Sequence, residues 1–209
     1  MNDSLNRPVG NQIFNVPNQI SMVRLGLSIV LFVVMSLEWY WTSFVLFVLA
    51  AGTDWIDGWW ARKYNQVSQL GRILDPFCDK ILICGTFILL AVAMRDRLPW
   101  YASVTGWMAV VVVGREMLVT ALRGFIEQSG GDFSAKFAGK LKMWFQCIAA
   151  GAGLVALAML AASPSQPLPQ WLNIVLIASI WLAVLSTVQS GIDYVVVAAK
   201  SLLSAAKSG

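Results

Sequence analysis

The sequence predicts an all-α integral membrane protein with six transmembrane helices and both termini in the cytoplasm. Three observations carry that expectation. The 209 residues are 58% hydrophobic and only 12% charged, with a mean hydropathy of +0.68, whereas soluble domains carry about 25% charged residues. Apolar runs long enough to cross a bilayer recur along the chain, separated by short polar or proline-containing turns. The basic residues are shared very unequally between the two sets of turns.

Residues 1–16 form a polar segment without the apolar stretch of a cleavable signal peptide, so insertion is expected to rely on internal helices. Pro17-Asn18-Gln19-Ile20-Ser21 reads as a helix start with Asn18 as its cap, and the apolar run after it reaches Leu37. Glu38 to Trp41 make a turn whose aromatics suit a membrane interface. The second span runs from Trp41 to Trp60, and Arg62, Lys63, Asn65, Gln66, Ser68 and Gln69 form a polar connection. The third runs from Gly71 to Met94. Pro76 is tolerable there if the helix begins within the preceding turn, where its missing N–H has no partner.

Arg95 to Pro99 give a tight turn, and the fourth span reaches Val113 before continuing as a more polar helix to Gly124. Gln128 to Asp132 are a loop. A fifth helix runs from Ser134 to Ala162, basic at first and then apolar. The proline-rich stretch Ser163 to Pro169 ends it, and the sixth span runs from Trp171 to Ala199. Residues 17–200 thus read as one six-helix domain, with 201–209 as a C-terminal tail.

Six spans place both termini on the same side as the turns after the second and fourth. That side collects thirteen basic residues: Arg7, Arg24, Arg62, Lys63, Arg72, Lys80, Arg115, Arg123, Lys136, Lys140, Lys142, Lys200 and Lys207. The opposite side has only Arg95 and Arg97. The bias assigns the basic side to the cytoplasm, in a multi-pass protein of the cell inner membrane.

There is no histidine in the chain. Imidazole bases, phosphohistidine intermediates and imidazole metal ligands are therefore excluded, and any metal chemistry must use oxygen ligands suited to hard ions such as Mg²⁺ or Mn²⁺. Cys78, Cys84 and Cys147 lie in apolar segments without ligand-like spacing and read as small core residues.

The chemistry concentrates between Asp54 and Asp79, a stretch with four of the eleven acidic residues. Asp54 and Asp57 are three apart, and Asp75 and Asp79 four apart, so each pair lies along one helix face. Ionisable groups in a bilayer cost roughly 2.5–3.5 kcal/mol each at a helix centre, and four converging carboxylates would also repel one another. A divalent cation relieves both penalties. Two ions would let the four carboxylates hold a diphosphate and stabilise a leaving group. The competing reading makes each aspartate a helix cap or an ion-pair partner of Arg62, Lys63, Arg72 or Lys80. It suits a lone aspartate better than four at regular spacing on consecutive helices. Gly58 leaves room for a phosphate to approach, and Arg62, one turn further, is a natural phosphate partner.

The stretch fits D-x2-D-G-x2-A-R-x8-G-x3-D-x3-D at every fixed position: Asp54, Asp57, Gly58, Ala61, Arg62, Gly71, Asp75 and Asp79. It resembles the signature of the CDP-alcohol phosphotransferases, integral membrane enzymes of six helices. The resemblance implies displacement at the β-phosphorus of a CDP-linked lipid with release of CMP. It assigns Asp54, Asp57 and Asp75 to metal, with Asp79 touching one ion and serving as the base for the attacking hydroxyl. Gly58, Arg62 and Ser68 would contact the CDP moiety. Asn18 and Ser21 align with a nucleotide-contacting segment.

A second cluster, Arg115, Arg123, Lys136, Lys140 and Lys142, comes from the fourth and fifth helices. Cations at a membrane face bind anionic headgroups at about 1 kcal/mol each, and that reading suits Lys136. Arg115, however, follows the apolar run Val110 to Val113 after Gly114, and Arg123 lies eight residues on, near the same face. With Lys140 and Lys142 after Gly139, they could form a pocket for a phosphorylated alcohol, with Glu116 as the structural partner of Arg115. The strings GREMLVTALR and AGKLKMWFQ resemble the subgroup that makes phosphatidylglycerophosphate from CDP-diacylglycerol and glycerol 3-phosphate. Met143 and Ser21 stand where that subgroup usually has threonine.

Other features read as structural. The tryptophans near span ends suit interface anchoring, and the small-residue run around Gly151 and Gly153 suits close helix packing. Asp193, beside Tyr194 near the end of the last span, is expected to cap or to pair with Lys200. The family resemblance implies a homodimer, and nothing points to nucleic acid. Two alternatives stay open at this point: the same chemistry with inositol phosphate, serine or another alcohol, and a divalent-cation transporter. Against the transporter, no acidic ladder crosses the bilayer from the four aspartates.

Overall fold

A computed structural model describes the backbone of residues 16–64, 69–128 and 137–208, and side chains within 19–53, 77–124 and 142–199 with a few exceptions, notably Ile20 and Asp79. Among the described residues the chain is all-helical. The long helices are α1 (Val16–Ser36), α2 (Tyr40–Tyr64), α3 (Gln69–Met94), α4 (Gly106–Gln128), α5 (Phe137–Ala162) and α6 (Gln170–Ser208). A single 3₁₀ turn, Trp100–Ala102, lies between α3 and α4.

Among the described residues, three segments are long and apolar enough to cross a membrane: Trp100–Gly124, Lys142–Ala162 and Gln170–Ala199. Shorter apolar stretches occupy Ser21–Ser36, Tyr40–Thr53 and Lys80–Met94. Their outer faces carry large apolar side chains in the open, Val92 and Val110 each 70% exposed, as a lipid-facing surface requires.

The chain divides into two compact units, Met1–Gly85 and Thr86–Gly209. In the first, α1 packs on α2 through an apolar core that includes Leu31, Met35, Phe47 and Ala50. The turn between them closes with Trp39 N donating to the Val34 carbonyl and Glu38 N to that of Met35, at 3.1 and 3.0 Å. This is a Schellman cap with Glu38 in the left-handed position, φ 61°. Gly85 faces the ring of Phe32, which any added Cβ would strike.

In the second unit, α6 packs along α5 and α4. Ala149, Ala150, Leu154 and Leu157 of α5 are fully buried, as are Leu176, Ile180 and Ala183 of α6. A Cβ on Gly153 would stand 3.0 Å from the Met94 methyl and 3.1 Å from Leu90, so the small-residue run does serve close packing, against the end of α3. The 3₁₀ turn is held to α6 by Trp181, whose indole N–H donates to the Tyr101 carbonyl at 3.1 Å.

Several helix boundaries differ from the sequence reading. Helix α1 begins at Val16, so Asn18 falls in its first turn rather than at its cap. Helix α3 begins at Gln69, placing Pro76 seven residues inside it, where its missing N–H leaves the Arg72 carbonyl without the usual helical donor. Helix α4 starts at Gly106 because Pro99 leads into the 3₁₀ turn and Ser103 is extended, φ −121° and ψ 150°. Helix α6 continues to Ser208, since the segment after Ala199 has neither proline nor glycine before Gly209.

Candidate active site

The acidic stretch is carried on the second half of α2 and the first half of α3. Asp54, Asp57, Gly58 and Arg62 fall on α2, and Asp75 and Asp79 on α3. Their side chains, with those of Asn18 and Lys140, lie outside the described residues, as does Ser68 altogether. Among the described residues no group of three or more Asp, Glu, Cys or His side chains could hold a metal. The donor set of the acidic stretch, carboxylates alone with no histidine in the chain, is one that suits a hard divalent ion.

Arg24 of α1 is fully buried, and its Nε donates to Thr53 Oγ1 at 3.4 Å, one residue before Asp54. Thr53 Oγ1 in turn donates to the Ala50 carbonyl at 2.7 Å. A buried guanidinium beside an acid-rich helix end supplies positive charge where the sequence accumulates negative charge. Ser21, also fully buried, accepts a weak hydrogen bond on its carbonyl from the Cys78 thiol at 3.4 Å, tying α1 to α3 next to Asp79. Cys78 is buried in that contact and acts as a small core residue.

The basic cluster is a built network in the second unit. Arg115 of α4 and Lys142 of α5 have side chains only 8% exposed. Both bind the same Glu116 carboxylate oxygen, Arg115 through Nη1 at 3.1 Å and Lys142 through its ammonium group. Glu116 is thus the structural partner of Arg115, and of Lys142 as well. Arg115 Nη2 donates to Ser190 Oγ of α6 at 2.5 Å, and its guanidinium carbon stands 5.3 Å from the centre of the Tyr194 ring. Among the described residues its buried Nε has no hydrogen-bond partner. Arg123 is partly buried further along α4, near enough for its charge to act on Arg115. One turn away from the network, Gln146 Nε2 of α5 donates to Thr187 Oγ1 of α6 at 3.0 Å.

Two cations share one carboxylate, and among the described residues the buried Arg115 Nε has no protein acceptor. Such an arrangement suits a phosphate, which accepts several charge-assisted hydrogen bonds at once. Sequence reasoning found Arg115, Lys142 and Glu116 but missed Ser190, Gly191 and Tyr194. The available signal was the polar interruption from Gln189 to Tyr194 in an otherwise apolar span. A groove of about 850 Å³ between the end of α3 and the start of α4 is lined mainly by apolar side chains, including Val92, Val110 and Val113. It contains none of the candidate site residues.

The family model described as CDP-alcohol phosphatidyltransferase matches residues 14–189. The chain belongs to that family. Membership makes it a phosphatidyltransferase of phospholipid biosynthesis. It is 32% identical over 199 residues to a CDP-diacylglycerol–glycerol-3-phosphate 3-phosphatidyltransferase of Bacillus subtilis, covering 87% of this chain and 94% of the relative. The enzyme of the same name from Salmonella choleraesuis is 30% identical over 193 residues, covering 91% of this chain and 98% of the relative. One from Shigella flexneri serotype 5b matches at the same identity and coverage. The phosphatidyltransferase match ends at Gln189, so Ser190, Gly191 and Tyr194 lie just beyond it.

Proposed function

We propose that this phosphatidyltransferase transfers the phosphatidyl group of CDP-diacylglycerol to glycerol 3-phosphate, giving phosphatidylglycerophosphate and CMP. The observation that carries the choice of acceptor is the buried Arg115–Glu116–Lys142 network with an Arg115 Nε unpartnered among the described residues, a site for a phosphate rather than for a neutral alcohol. The names of the relatives support the same acceptor.

In this reading Arg115, Arg123, Lys140 and Lys142 hold the acceptor phosphate. Asn18, Ser21, Gly58, Arg62 and Ser68 hold the CDP moiety. Asp54, Asp57, Asp75 and Asp79 would hold one or two Mg²⁺ or Mn²⁺ ions, which when bound offset the charge of the diphosphate. Asp79 accepts the proton of the acceptor hydroxyl, whose oxygen forms the new bond to the β-phosphorus as the bond to CMP breaks. Six spans, cytoplasmic termini and a homodimer in the inner membrane complete the proposal, supported by the thirteen-to-two distribution of basic residues for orientation.

The test is CMP release by purified protein in detergent with CDP-diacylglycerol, Mg²⁺ and one acceptor at a time. Release with glycerol 3-phosphate and not with serine or inositol phosphate is expected. Release only with another acceptor overturns the acceptor assignment and leaves the family chemistry. Absence of release with every acceptor, together with metal flux in vesicles, overturns the proposal.

A further inference from the structure

We infer that α6 positions the Arg115 guanidinium through Ser190, Gly191 and Tyr194, and so sets the affinity for the acceptor phosphate. This rests on the reading of Arg115 as a phosphate ligand. The three residues occupy positions i, i+1 and i+4, one face of the helix, and each restrains a different part of the arginine. Ser190 Oγ accepts from Nη2 at 2.5 Å and fixes the head of the fork. The Tyr194 ring, 5.3 Å from the guanidinium carbon, provides an aromatic surface for the cation. A Cβ at Gly191 would stand 3.3 Å from Arg115 Cγ, so the arginine stem passes close against the bare helix backbone.

Arginine is a long side chain with many rotamers, and a ligand that must order it loses affinity. Here the ordering is done before the ligand arrives. Glu116 holds Nη1, Ser190 holds Nη2, and the buried Nε is left as the donor without a partner among the described residues. Glu116 is adjacent to Arg115 in sequence and also holds Lys142, so its contact alone does not orient the fork. The orientation comes from a helix some seventy-five residues later in the chain. Ser190, Gly191 and Tyr194 are positioning residues: they act on the acceptor only through Arg115.

Steady-state kinetics of the full-length protein in detergent, varying glycerol 3-phosphate and CDP-diacylglycerol separately, test the inference. Ser190→Ala is expected to raise KM for glycerol 3-phosphate roughly tenfold, the effect of losing one charge-assisted hydrogen bond. Its kcat and its KM for CDP-diacylglycerol should stay within about twofold. Ser190→Thr, which keeps the hydroxyl, should restore most of the loss. Tyr194→Leu, which keeps an apolar side chain, should raise the same KM about threefold, and serves if Ser190→Ala fails to fold. The decisive comparison is made in an Arg115→Ala background, where Ser190→Ala or Tyr194→Leu should add nothing. A further rise there, or equal changes in kcat and both KM values, overturns the positioning role. If Arg115→Ala itself leaves KM for glycerol 3-phosphate unchanged, the phosphate-site reading fails first. If Arg115→Ala raises it while the α6 variants do not, only the inference about α6 fails.

Discussion

The acidic stretch and the basic network are built in opposite ways. The four aspartates come from 26 consecutive residues on two successive helices, and their spacing alone defines them. The basic network draws on three helices, joining Arg115 and Glu116 of α4 to Lys142 of α5 and to Ser190 of α6. A site made by helical periodicity can be read from one short string, because i, i+3 and i+4 relations survive whatever the tertiary fold. A site made by packing cannot. The difference also divides the chemistry of the proposed reaction, with the donor lipid and the proton transfer assigned to the local site and acceptor recognition to the assembled one.

The largest effect should follow from a change in the local site. Asp79→Asn removes the proposed base while keeping the size of the side chain, and should lower turnover by roughly 10²–10⁴-fold. Binding of CDP-diacylglycerol, measured directly by the retained lipid, should survive in part. Turnover close to that of the unaltered protein would remove Asp79 from the proton transfer. Complete loss of lipid binding would move it to the donor-holding set and blur the division between the two sites.

The assembled site should respond in stability as well as in function. Glu116→Ala leaves Arg115 and Lys142, each 8% exposed, without the carboxylate they share. Breaking a buried ion pair by removing one partner costs about 3 kcal/mol or more, so the melting temperature in detergent should fall clearly. Glu116→Gln, whose amide oxygen still accepts, should lose less. Binding of CDP-diacylglycerol should hold in both. If it falls in parallel with stability, the two sites are not separable in the way the comparison states.

How much was legible follows from the same contrast. The helical class, the six apolar stretches and the turns after the first, third and fifth helices were visible from hydropathy, because lipid-facing surfaces demand it. Glu116 was identified as the partner of Arg115 because the two are neighbours in sequence. Lys142 was identified as a cation but not as the second partner of Glu116, since nothing in the sequence relates positions 26 residues apart on different helices. Ser190, Gly191 and Tyr194 went unassigned because a serine, a glycine and a tyrosine in a membrane helix suit packing equally well. Arg24 was counted towards orientation, yet it is fully buried and bonded to Thr53, a placement that charge counting alone cannot distinguish from a snorkelling arginine. Pro76 sits inside α3 because the helix begins at Gln69, about two turns before it.

The smallest predicted effect locates the edge of the assembled site. Gln146 lies one turn beyond Lys142 on α5, and Thr187 one turn before Ser190 on α6, and their side chains are joined at 3.0 Å. Both are buried, Gln146 2% and Thr187 0% exposed, and neither carries a charge. Thr187→Val leaves the Gln146 amide without this acceptor and should cost about 1–3 kcal/mol, the penalty for one unsatisfied buried donor. Adding Gln146→Leu removes the donor as well and should recover most of that loss, because two apolar groups of similar shape can replace a buried hydrogen bond nearly without cost. Thermal unfolding in detergent reads both steps. Neither variant should move KM for glycerol 3-phosphate by more than about twofold, since the pair holds α5 to α6 without touching Arg115. A larger shift would mean that the orientation of the arginine depends on how the two helices are clamped, and would extend the proposed acceptor site a full turn further into the apolar part of the second unit.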